Sequence, residues 1–491
     1  MNKNELKPQC VFDEFAKINL IPRPSKREEK MSEYLQQWAK DHNLEMKVDA
    51  VGDVLIKKPA TKGYENCETV VLQSHMDMVC ESNNGVNFDF DKDPIQTQIV
   101  TDANGEAWMK ANGTTLGADD GIGCALQLAV LAANDIEHGP IEAVFTVDEE
   151  SGMTGAENIP ADFMSGNLLI NLDSEDEGQV FVACAGGCIN DVTFRFKKEE
   201  APANLFFMKM SANGLVGGHS GDDIKKKRAN SIKLLARFLY MMDEKYGIRL
   251  ADFQAGNKHN AIPREGTVVF AVDESKKHEV VSAFNIYVDN VKEEFCCCDP
   301  EIKLELTSCD SQKIIEEGVG RNIIRSLQAV VNGVYSYCQQ EELDWLVETS
   351  DNLASVHTDD NTAKIILSPR SCVMSNLANI ANTISATFQL AGAEVIQCDG
   401  YPAWQMRQDS KLRLIANETY KQLFGKEPEI LGIHAGLECA LFAQKYPDMD
   451  MISFGPTLRG VHSPDERLLI KTVPMVWDHL LAILKNIPAK Q

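Results

Sequence analysis

The sequence lacks any apolar run long enough to cross a lipid bilayer. Its best apolar stretch, residues 122–133, is shorter than the roughly 20 residues that a membrane-spanning helix needs, so we predict a core helix there. The polar N-terminal residues 1–30 also lack the apolar region of a secretory signal. We therefore expect a soluble, cytoplasmic protein with no membrane partner.

The sequence is also short of basic residues. It has 48 lysines and arginines against 73 aspartates and glutamates, and its formal net charge is −25. Such an acidic surface repels nucleic acids and anionic membranes, so we expect neither as a partner. The charge favours solubility and leaves the chemistry open.

Paired cysteine motifs are absent. The 14 cysteines are scattered, apart from the adjacent Cys296, Cys297 and Cys298, and none shows zinc-ribbon spacing. We predict reduced thiols in a cytosolic protein, most of them buried as small apolar side chains.

Internal repeats and low-complexity tracts are absent as well. A chain of 491 residues is too long for one hydrophobic core. The length therefore predicts two domains.

The most informative residues present are His75 and Asp77, which follow the apolar run Val70-Val71-Leu72. This pattern predicts a buried strand with a polar end, and open α/β sheets bind ligands beyond the carboxyl ends of their strands. A histidine there can bind a metal, while a carboxylate two residues on holds its other ring N–H. His75 and Asp77 alone do not establish a metal site, because a histidine at a strand end is more often a hydrogen-bonded structural residue.

Polar residues lie at or near the ends of apolar runs at further places: Asp119-Asp120 just before one, Asp148-Glu149-Glu150 and Asp173 directly after others, and His462 in a short loop after Met451–Gly455. Each has a structural alternative. Asp119 or Asp120 can cap the helix that follows. Glu149 and Glu150 can form a solvated loop, and Asp173 can belong to an acidic turn. Taken together, the structural alternatives would require five independent coincidences of the same kind. A single metal site would explain all five, and histidine and carboxylate ligands without cysteine suit zinc, cobalt or manganese.

Five segments resemble, in order, the metal-site motifs of the two-zinc exopeptidases: His75-Met76-Asp77, Gly117-Ala118-Asp119-Asp120-Gly121, Glu149-Glu150-Ser151-Gly152, Asn171-Leu172-Asp173 and His462-Ser463-Pro464. Others resemble that family's aminoacyl-histidine dipeptidase branch: Cys184–Gly187, Gly217–Gly221, Gly256–Glu265, His434–Cys439 and Gly455–Gly460. The resemblance extends from about residue 10 to the C-terminus. It implies metal-dependent hydrolysis of Xaa-His and broader Xaa-Xaa dipeptides. The alternative within the family is a tripeptidase or an N-acyl amino acid hydrolase.

The candidate ligands bracket the middle of the chain, which predicts a discontinuous metal domain. We expect an α/β catalytic domain, a mixed sheet flanked by helices, over 1–186 and 398–491, with a second domain inserted over 187–397. Gly186-Gly187 is the predicted exit hinge. The resemblance implies that the insert is an α/β lid, through which this family often forms homodimers.

Inside the insert, residue patterns predict strands over 206–210 and 267–272. An amphipathic pattern predicts a helix over 224–242, with three lysines, 225–227, on its solvated face.

The resemblance assigns five metal ligands. Two zinc ions, for which cobalt or manganese can substitute, would lie about 3.5–4 Å apart. Asp119, the first aspartate of its pair, would bridge them. His75 and Asp173 would complete one ion, and Glu150 and His462 the other.

The resemblance also implies how the site would work. Glu149 would be the general base. It would take a proton from a water that bridges the metals, which leaves a hydroxide, and later return that proton to the leaving amine. Asp77 would orient His75. His219 would stabilise the oxyanion from the lid, although its loop alone favours an ordinary turn histidine.

Recognition of a dipeptide requires partners for both of its charged ends. We expect Asn260, Arg370 and the backbone N–H of Gly436 to bind the carboxylate, and Glu175 or Glu438 to pair with the amine. Arg370 can equally form a structural ion pair.

Two other classes of protein are a metal-storage module and an inactive scaffold. The free base expected at position 149 argues against a metal-storage module, and the complete set of chemical residues argues against an inactive scaffold.

Overall fold

The computed structural model describes residues 6–490, which divide into two compact units. The first unit contains the residues up to Ala183, Trp404–Gly432, and those from Leu437 onward; the second contains Cys184–Ala403 and Ile433–Gly436. The boundaries expected from the sequence, after residues 186 and 397, fall inside two strands of the second unit. Those strands are Gly186–Arg195 and Glu394–Tyr401.

The main sheet of the first unit is mixed. Its strands, in spatial order, are Glu45–Val48, Val54–Lys58, Ile141–Thr146, Val70–His75, Leu168–Asn171, Asp450–Ser453, Gln179–Cys184 and Glu429–Ile433. The third to sixth strands of this order run parallel to one another. Every residue in these four is buried, as expected for parallel strands covered on both faces. Their carboxyl ends therefore meet at one edge.

A smaller antiparallel sheet and several helices complete the first unit. The small sheet has the order Leu458–Arg459, Arg467–Leu469, Ala107–Ala111 and Thr97–Thr101. The helices are Gln9–Ile18, Glu29–Asp41, Ala118–Ala132, Glu149–Gly152, Thr154–Asn158, Lys411–Phe424, Glu438–Lys445 and Thr472–Lys485. The core helix predicted over 122–133 lies within the helix Ala118–Ala132 except for its last residue, and residues 122–131 are buried. Among residues 6–490, no helix is both long and apolar enough to span a membrane.

The second unit is a sheet covered by helices. The sheet order is Lys303–Ser308, Leu205–Asn213, Gly266–Asp273, Arg249–Ala255, Val347–Thr358, Thr362–Ser371, Gly186–Arg195 and Glu394–Tyr401, with Gly333–Tyr337 also paired to Val347–Thr358. Short strand pairs are Lys198–Glu199 with Ile314–Ile315 and Gly218–His219 with Ala261–Ile262. The α-helices are Ser231–Tyr246, Lys277–Glu294, Glu317–Ala329 and Met374–Leu390; 3-10 turns are Ile224–Lys226, Glu274–Lys276 and Glu341–Leu343.

The helix predicted over 224–242 begins later than expected. Ile224–Lys226 is a 3-10 turn, and the α-helix starts at Ser231. Asn230 caps it, because its side chain accepts the N–H groups of Ile232 and Lys233. The predicted start at Ile224 was wrong, because the capping residue Asn230 marks the true start of the helix. The strands predicted over 206–210 and 267–272 both lie within observed strands.

The two glycines predicted as a hinge lie inside the strand Gly186–Arg195. A Cβ atom on Gly186 would lie 2.7 Å from Ala403 N, Pro402 C and Tyr401 O. The missing side chain therefore permits close approach of two backbone segments at this position.

Candidate metal centre

The main sheet of the first unit explains how distant residues meet. His75 is the last residue of the strand Val70–His75, and Asp173 comes just after Leu168–Asn171. Glu150 follows the neighbouring strand Ile141–Thr146, within the helix Glu149–Gly152. Because these strands are parallel, the side chains that follow them converge at the carboxyl edge of the sheet.

All five predicted ligands belong to the first unit, and they form two groups. In one, His75 Nε2 lies 3.0 Å from Asp119 Oδ1 and 3.4 Å from Asp173 Oδ1. In the other, His462 Nε2 lies 3.1 Å from Asp119 Oδ2 and 3.0 Å from Glu150 Oε2. Asp119 is the member that the groups share, and each of its oxygens faces one histidine.

The adjacent aspartates have different surroundings. Asp120 is buried, and its Oδ1 accepts the N–H of Gly123 at 3.1 Å. It therefore makes the helix-capping bond that the sequence allowed for either aspartate. Asp119 instead has its carboxylate between the two histidines.

The spacing of these atoms suits metal ions. Zinc bonds to nitrogen and oxygen are about 2.0–2.2 Å long, so two ligand atoms on one tetrahedral ion lie about 3.3–3.6 Å apart. The histidine–carboxylate separations of 3.0 to 3.4 Å are close to that value. Two imidazoles with three carboxylates also form a nitrogen and oxygen donor set that zinc, cobalt and manganese accept.

Electrostatics in this cluster is dominated by burial and by crowded carboxylates. Burial raises the pKa of Asp173 to about 7, with His75 acting in the opposite direction. Burial lowers the pKa of His75, but Asp173, Asp119 and Asp77 outweigh it and hold this pKa well above its ordinary value. Hydrogen bonds that His462 donates to Asp119 and Glu150 raise the pKa of His462 to about 11. The cluster therefore requires positive charge, which either histidine protons or divalent ions can supply.

Glu149 and Glu150 are neighbours with different partners. Both lie with His75 in a group whose ligand atoms are within 4.8 Å of one another. Glu150 pairs with His462, whereas the Glu149 carboxylate accepts no hydrogen bond and forms no ion pair with any residue in the range 6–490. Burial raises the pKa of Glu149 well above its ordinary value, opposed by His75 and reinforced by Asp173. Glu149 thus combines a position beside the ligands with a carboxylate that is free.

Asp77 supports both sides of this site. Its Oδ1 lies 3.2 Å from His75 Nδ1, and it accepts the backbone N–H groups of Glu149 at 3.1 Å and Glu150 at 3.3 Å. Ser25 donates its hydroxyl to Asp77 Oδ2 at 2.7 Å. One fully buried carboxylate thus contacts a candidate ligand and the segment that carries the candidate base.

Several supporting residues were missed in the sequence. Glu466 accepts backbone N–H groups of the loop before Asp119, and Arg23 donates to carbonyls of the same region. The only hint for Glu466 was its position four residues after His462, and Arg23 gave no signal. Glu438, expected as an amine partner, is buried and accepts hydrogen bonds from Gln73 at 2.7 Å and Thr146 at 3.0 Å.

The remaining predicted site residues belong to the second unit. Arg370 is buried and donates to the hydroxyls of Ser220 and Tyr401. Among the side chains that the structure describes, residues 6–490 apart from Asp399, no carboxylate lies within 4.0 Å of the Arg370 guanidinium, and no structural ion pair is observed there. Asn260 is exposed, and its carbonyl accepts the N–H of Ser220 at 2.9 Å. A Cβ on Gly436 would lie 3.1 Å from the ring of Tyr401.

The ring of His219 is held at one nitrogen. Its Nδ1 faces the N–H groups of Gly221 and Asp222, each at 3.3 Å. Two donors directed at Nδ1 favour the neutral tautomer in which Nε2 carries the hydrogen. Asp222 Oδ2, 3.5 Å from Nδ1, favours a proton on that nitrogen instead, but it is the more distant partner. In the favoured tautomer Nε2 can donate a hydrogen bond.

The family is now identified by comparison. A model of peptidase family M20/M25/M40 matches residues 71–486, so the chain belongs to this family. Membership of these metallopeptidases, together with the two ligand groups, implies binding of divalent metal.

The chain is 42% identical over 488 residues to the cytosol non-specific dipeptidase of Escherichia coli (strain K12), which covers 99% of each protein. A solved structure of aminoacylhistidine dipeptidase from Vibrio alginolyticus matches with a TM-score of 0.94 and 39% identity, over 100% of this chain and 99% of that one. A tripeptidase from Staphylococcus aureus matches with a TM-score of 0.55 at 15% identity, over 98% and 99%, and shares the fold alone.

Proposed function

We propose that this protein is a dinuclear zinc dipeptidase that cleaves Xaa-His and other dipeptides. The observation that carries the proposal is Asp119, whose two carboxylate oxygens lie between His75 with Asp173 on one side and His462 with Glu150 on the other. A carboxylate placed in this way suits the bridge of a two-metal site. Cobalt or manganese can substitute for zinc in such a ligand set.

The relatives support the substrate class. The Escherichia coli protein is described as a non-specific dipeptidase and the Vibrio protein as an aminoacylhistidine dipeptidase. We assign both preferences to this chain on the strength of the similarity. The Escherichia coli relative is named for the cytosol, which supports a cytoplasmic location for this protein.

The residues of the chain have separate tasks in this proposal. Bound divalent metal would polarise the scissile carbonyl and lower the pKa of a water. Glu149 accepts the proton of the attacking water and delivers it to the leaving amine. Asp77 holds the His75 ring and the backbone of Glu149, so that the base and a ligand keep a fixed separation.

Residues of the second unit would complete recognition. Arg370, with its guanidinium on hydroxyls rather than on a carboxylate, is the proposed partner of the substrate carboxylate, assisted by Asn260 and the N–H of Gly436. Glu175, whose side chain is exposed, is the better candidate for the amine, because Glu438 is buried and its Oε2 already accepts hydrogen bonds from Gln73 and Thr146. A homodimer formed through this unit stays a prediction, and sedimentation of a monomer at working concentrations would contradict it.

The test of the proposal is a substrate panel that varies both ends of the peptide. Unblocked dipeptides, including histidine-containing ones, should be cleaved, whereas N-acetylated dipeptides, dipeptide amides and tripeptides should be poor substrates. A buried charge that loses its partner costs several kcal/mol, so blocking either end should cost more than changing a side chain. Efficient turnover of tripeptides or N-acyl amino acids would instead favour the alternative activity.

Arg370→Ala should sharpen this result. We expect a large loss of kcat/KM for dipeptides and a smaller difference between free acid and amide, because the cation that distinguishes them is gone. Arg237→Ala is the matched control, since Arg237 pairs with Glu294 on an exposed helix of the same unit. An unchanged ratio of acid to amide in Arg370→Ala would remove Arg370 from the recognition site.

His219→Ala tests the proposed oxyanion donor. We expect kcat to fall by about 10²-fold with metal content unchanged, because the lost hydrogen bond forms mainly in the transition state. His278, an exposed histidine in the helix Lys277–Glu294 of the same unit, provides the control variant His278→Ala. A near-normal kcat would show that His219 is an ordinary turn residue.

A further inference from the structure

The loop that leads into Asp119 directs four consecutive backbone N–H groups at one carboxylate. Glu466 Oε2 accepts from Leu116 at 2.7 Å and Gly117 at 2.9 Å, and Oε1 accepts from Ala118 at 2.7 Å and Asp119 at 3.3 Å. Glu466 is only 2% exposed. Each oxygen accepts two N–H groups, an arrangement that suits an ionised carboxylate, which offers only acceptors.

An arginine, Arg23, binds backbone carbonyl groups of the same loop and of the strand end beside it. Arg23 Nη1 donates to Asp77 O at 2.8 Å and more weakly to Met76 O at 3.3 Å, and Nη2 donates to Gly117 O. Arg23 is 1% exposed and forms no ion pair with any residue of the range 6–490. Its guanidinium therefore binds backbone, and it connects the end of the strand that carries His75 to the loop that carries Asp119.

Two glycines of the segment Gly117-Ala118-Asp119-Asp120-Gly121 leave room for this guanidinium. A Cβ on Gly117 would lie 2.5 Å from Arg23 Nη2, and a Cβ on Gly121 would lie 2.6 Å from the same atom. Gly117 also has a φ of 66°, which glycine adopts without strain. The glycine spacing of this segment thus serves the arginine beneath it as well as the turn.

We propose that Glu466 and Arg23 are positioning residues that fix the carboxylate of Asp119 where it would bridge two metal ions. Glu466 holds the N–H groups of the loop and lies four residues after the ligand His462. Arg23 holds the carbonyl of Gly117 and those of the strand end beside His75. Neither touches the ligand side chains, so both act through the backbone. This inference rests on the proposed dinuclear function.

The structure offers a closely matched control for Glu466. Glu142 is another buried carboxylate that accepts backbone N–H groups, from Ser165 at 2.7 Å and Gly166 at 3.1 Å. It lies at the start of the strand Ile141–Thr146, whereas the candidate ligands follow the strand ends. Glu142→Gln should therefore reproduce the cost of disturbing a buried carboxylate without moving Asp119.

The experiment is zinc binding to the metal-free full chain, measured by competition with a chromophoric chelator at fixed pH. Glu466→Gln should bind the zinc more weakly by about 10–100-fold, the usual cost of losing a residue that supports a metal ligand. Glu142→Gln should bind zinc like the parent even if it unfolds more easily. Equal zinc affinity in Glu466→Gln and the parent would overturn the proposal, whereas a parent that binds no zinc would overturn the proposed function itself.

Arg23→Lys separates positioning from simple charge. Lysine keeps the positive charge but cannot reach three carbonyls with a planar fork, so positioning predicts weaker zinc binding in this variant. In Arg23→Met, loss of a nearby cation would by charge alone strengthen zinc binding, while loss of positioning would weaken it. Parent-like affinity in Arg23→Lys with tighter binding in Arg23→Met would contradict a positioning role for Arg23.

If Glu466→Gln does not fold by circular dichroism, Glu466→Asp takes its place under the same criterion.

Discussion

Glu149→Gln is expected to lose most of its hydrolytic rate while keeping its fold and both metals. General base catalysis contributes roughly 10²–10⁴-fold, and a glutamine amide cannot take the proton. Metal should remain, because the Glu149 carboxylate has no ion pair with the histidines of the cluster among the described residues. The measurements are kcat on an unblocked dipeptide and metal content per chain, with Glu157→Gln, an exposed carboxylate of the next helix, as the control.

The neighbouring substitution should fail in a different way. Glu150 Oε2 lies 3.0 Å from His462 Nε2 in the group shared with Asp119, so Glu150→Gln should lose metal at that position. The two variants thus separate loss of rate from loss of metal. If Glu149→Gln drops metal and Glu150→Gln retains it, the roles of the pair are reversed.

Exhaustive chelation is expected to abolish activity completely. The ligand set is nitrogen and oxygen, and the polarised carbonyl and activated water both depend on the ions. Zinc, cobalt or manganese should restore turnover. Metal should also stabilise the fold, by about 4 kcal/mol at a free concentration 1,000-fold above Kd, so the chelated protein should unfold at a lower temperature. Full activity at a verified metal content of zero would exclude the two-metal account.

The candidate ligands could be predicted from the sequence because each lies at or close to the end of an apolar run. Val70-Val71-Leu72 before His75 and Leu168–Ile170 before Asp173 indicate buried strands, and the parallel arrangement then brings their ends to one edge. What the residue pattern alone left open was which member of each acidic pair faces the histidines of the cluster. Asp120 accepts the N–H of Gly123 in a local capping bond. Either aspartate of the pair could have made such a bond, so the sequence did not show which one would.

The supporting residues could not be predicted in the same way. Arg23 and Glu466 act on backbone carbonyls and N–H groups that are far away in the chain, and such contacts impose no periodicity on the sequence around them. The start of the helix at Ser231 was misjudged for a local reason, since the capping Asn230 marks it, whereas the prediction began the helix at Ile224. The short segment Ile433–Gly436 belongs to the second unit and carries no composition that sets it apart.

The central claim is that one carboxylate, Asp119, is shared by two metal ions. Anomalous X-ray scattering from crystals of the zinc-loaded protein tests it most directly, because the signal locates zinc independently of any assumed ligand. The account predicts two zinc peaks about 3.5–4 Å apart, one beside His75 and Asp173 and the other beside Glu150 and His462, with Asp119 between them. A single peak, or two peaks of which only one contacts Asp119, would contradict it.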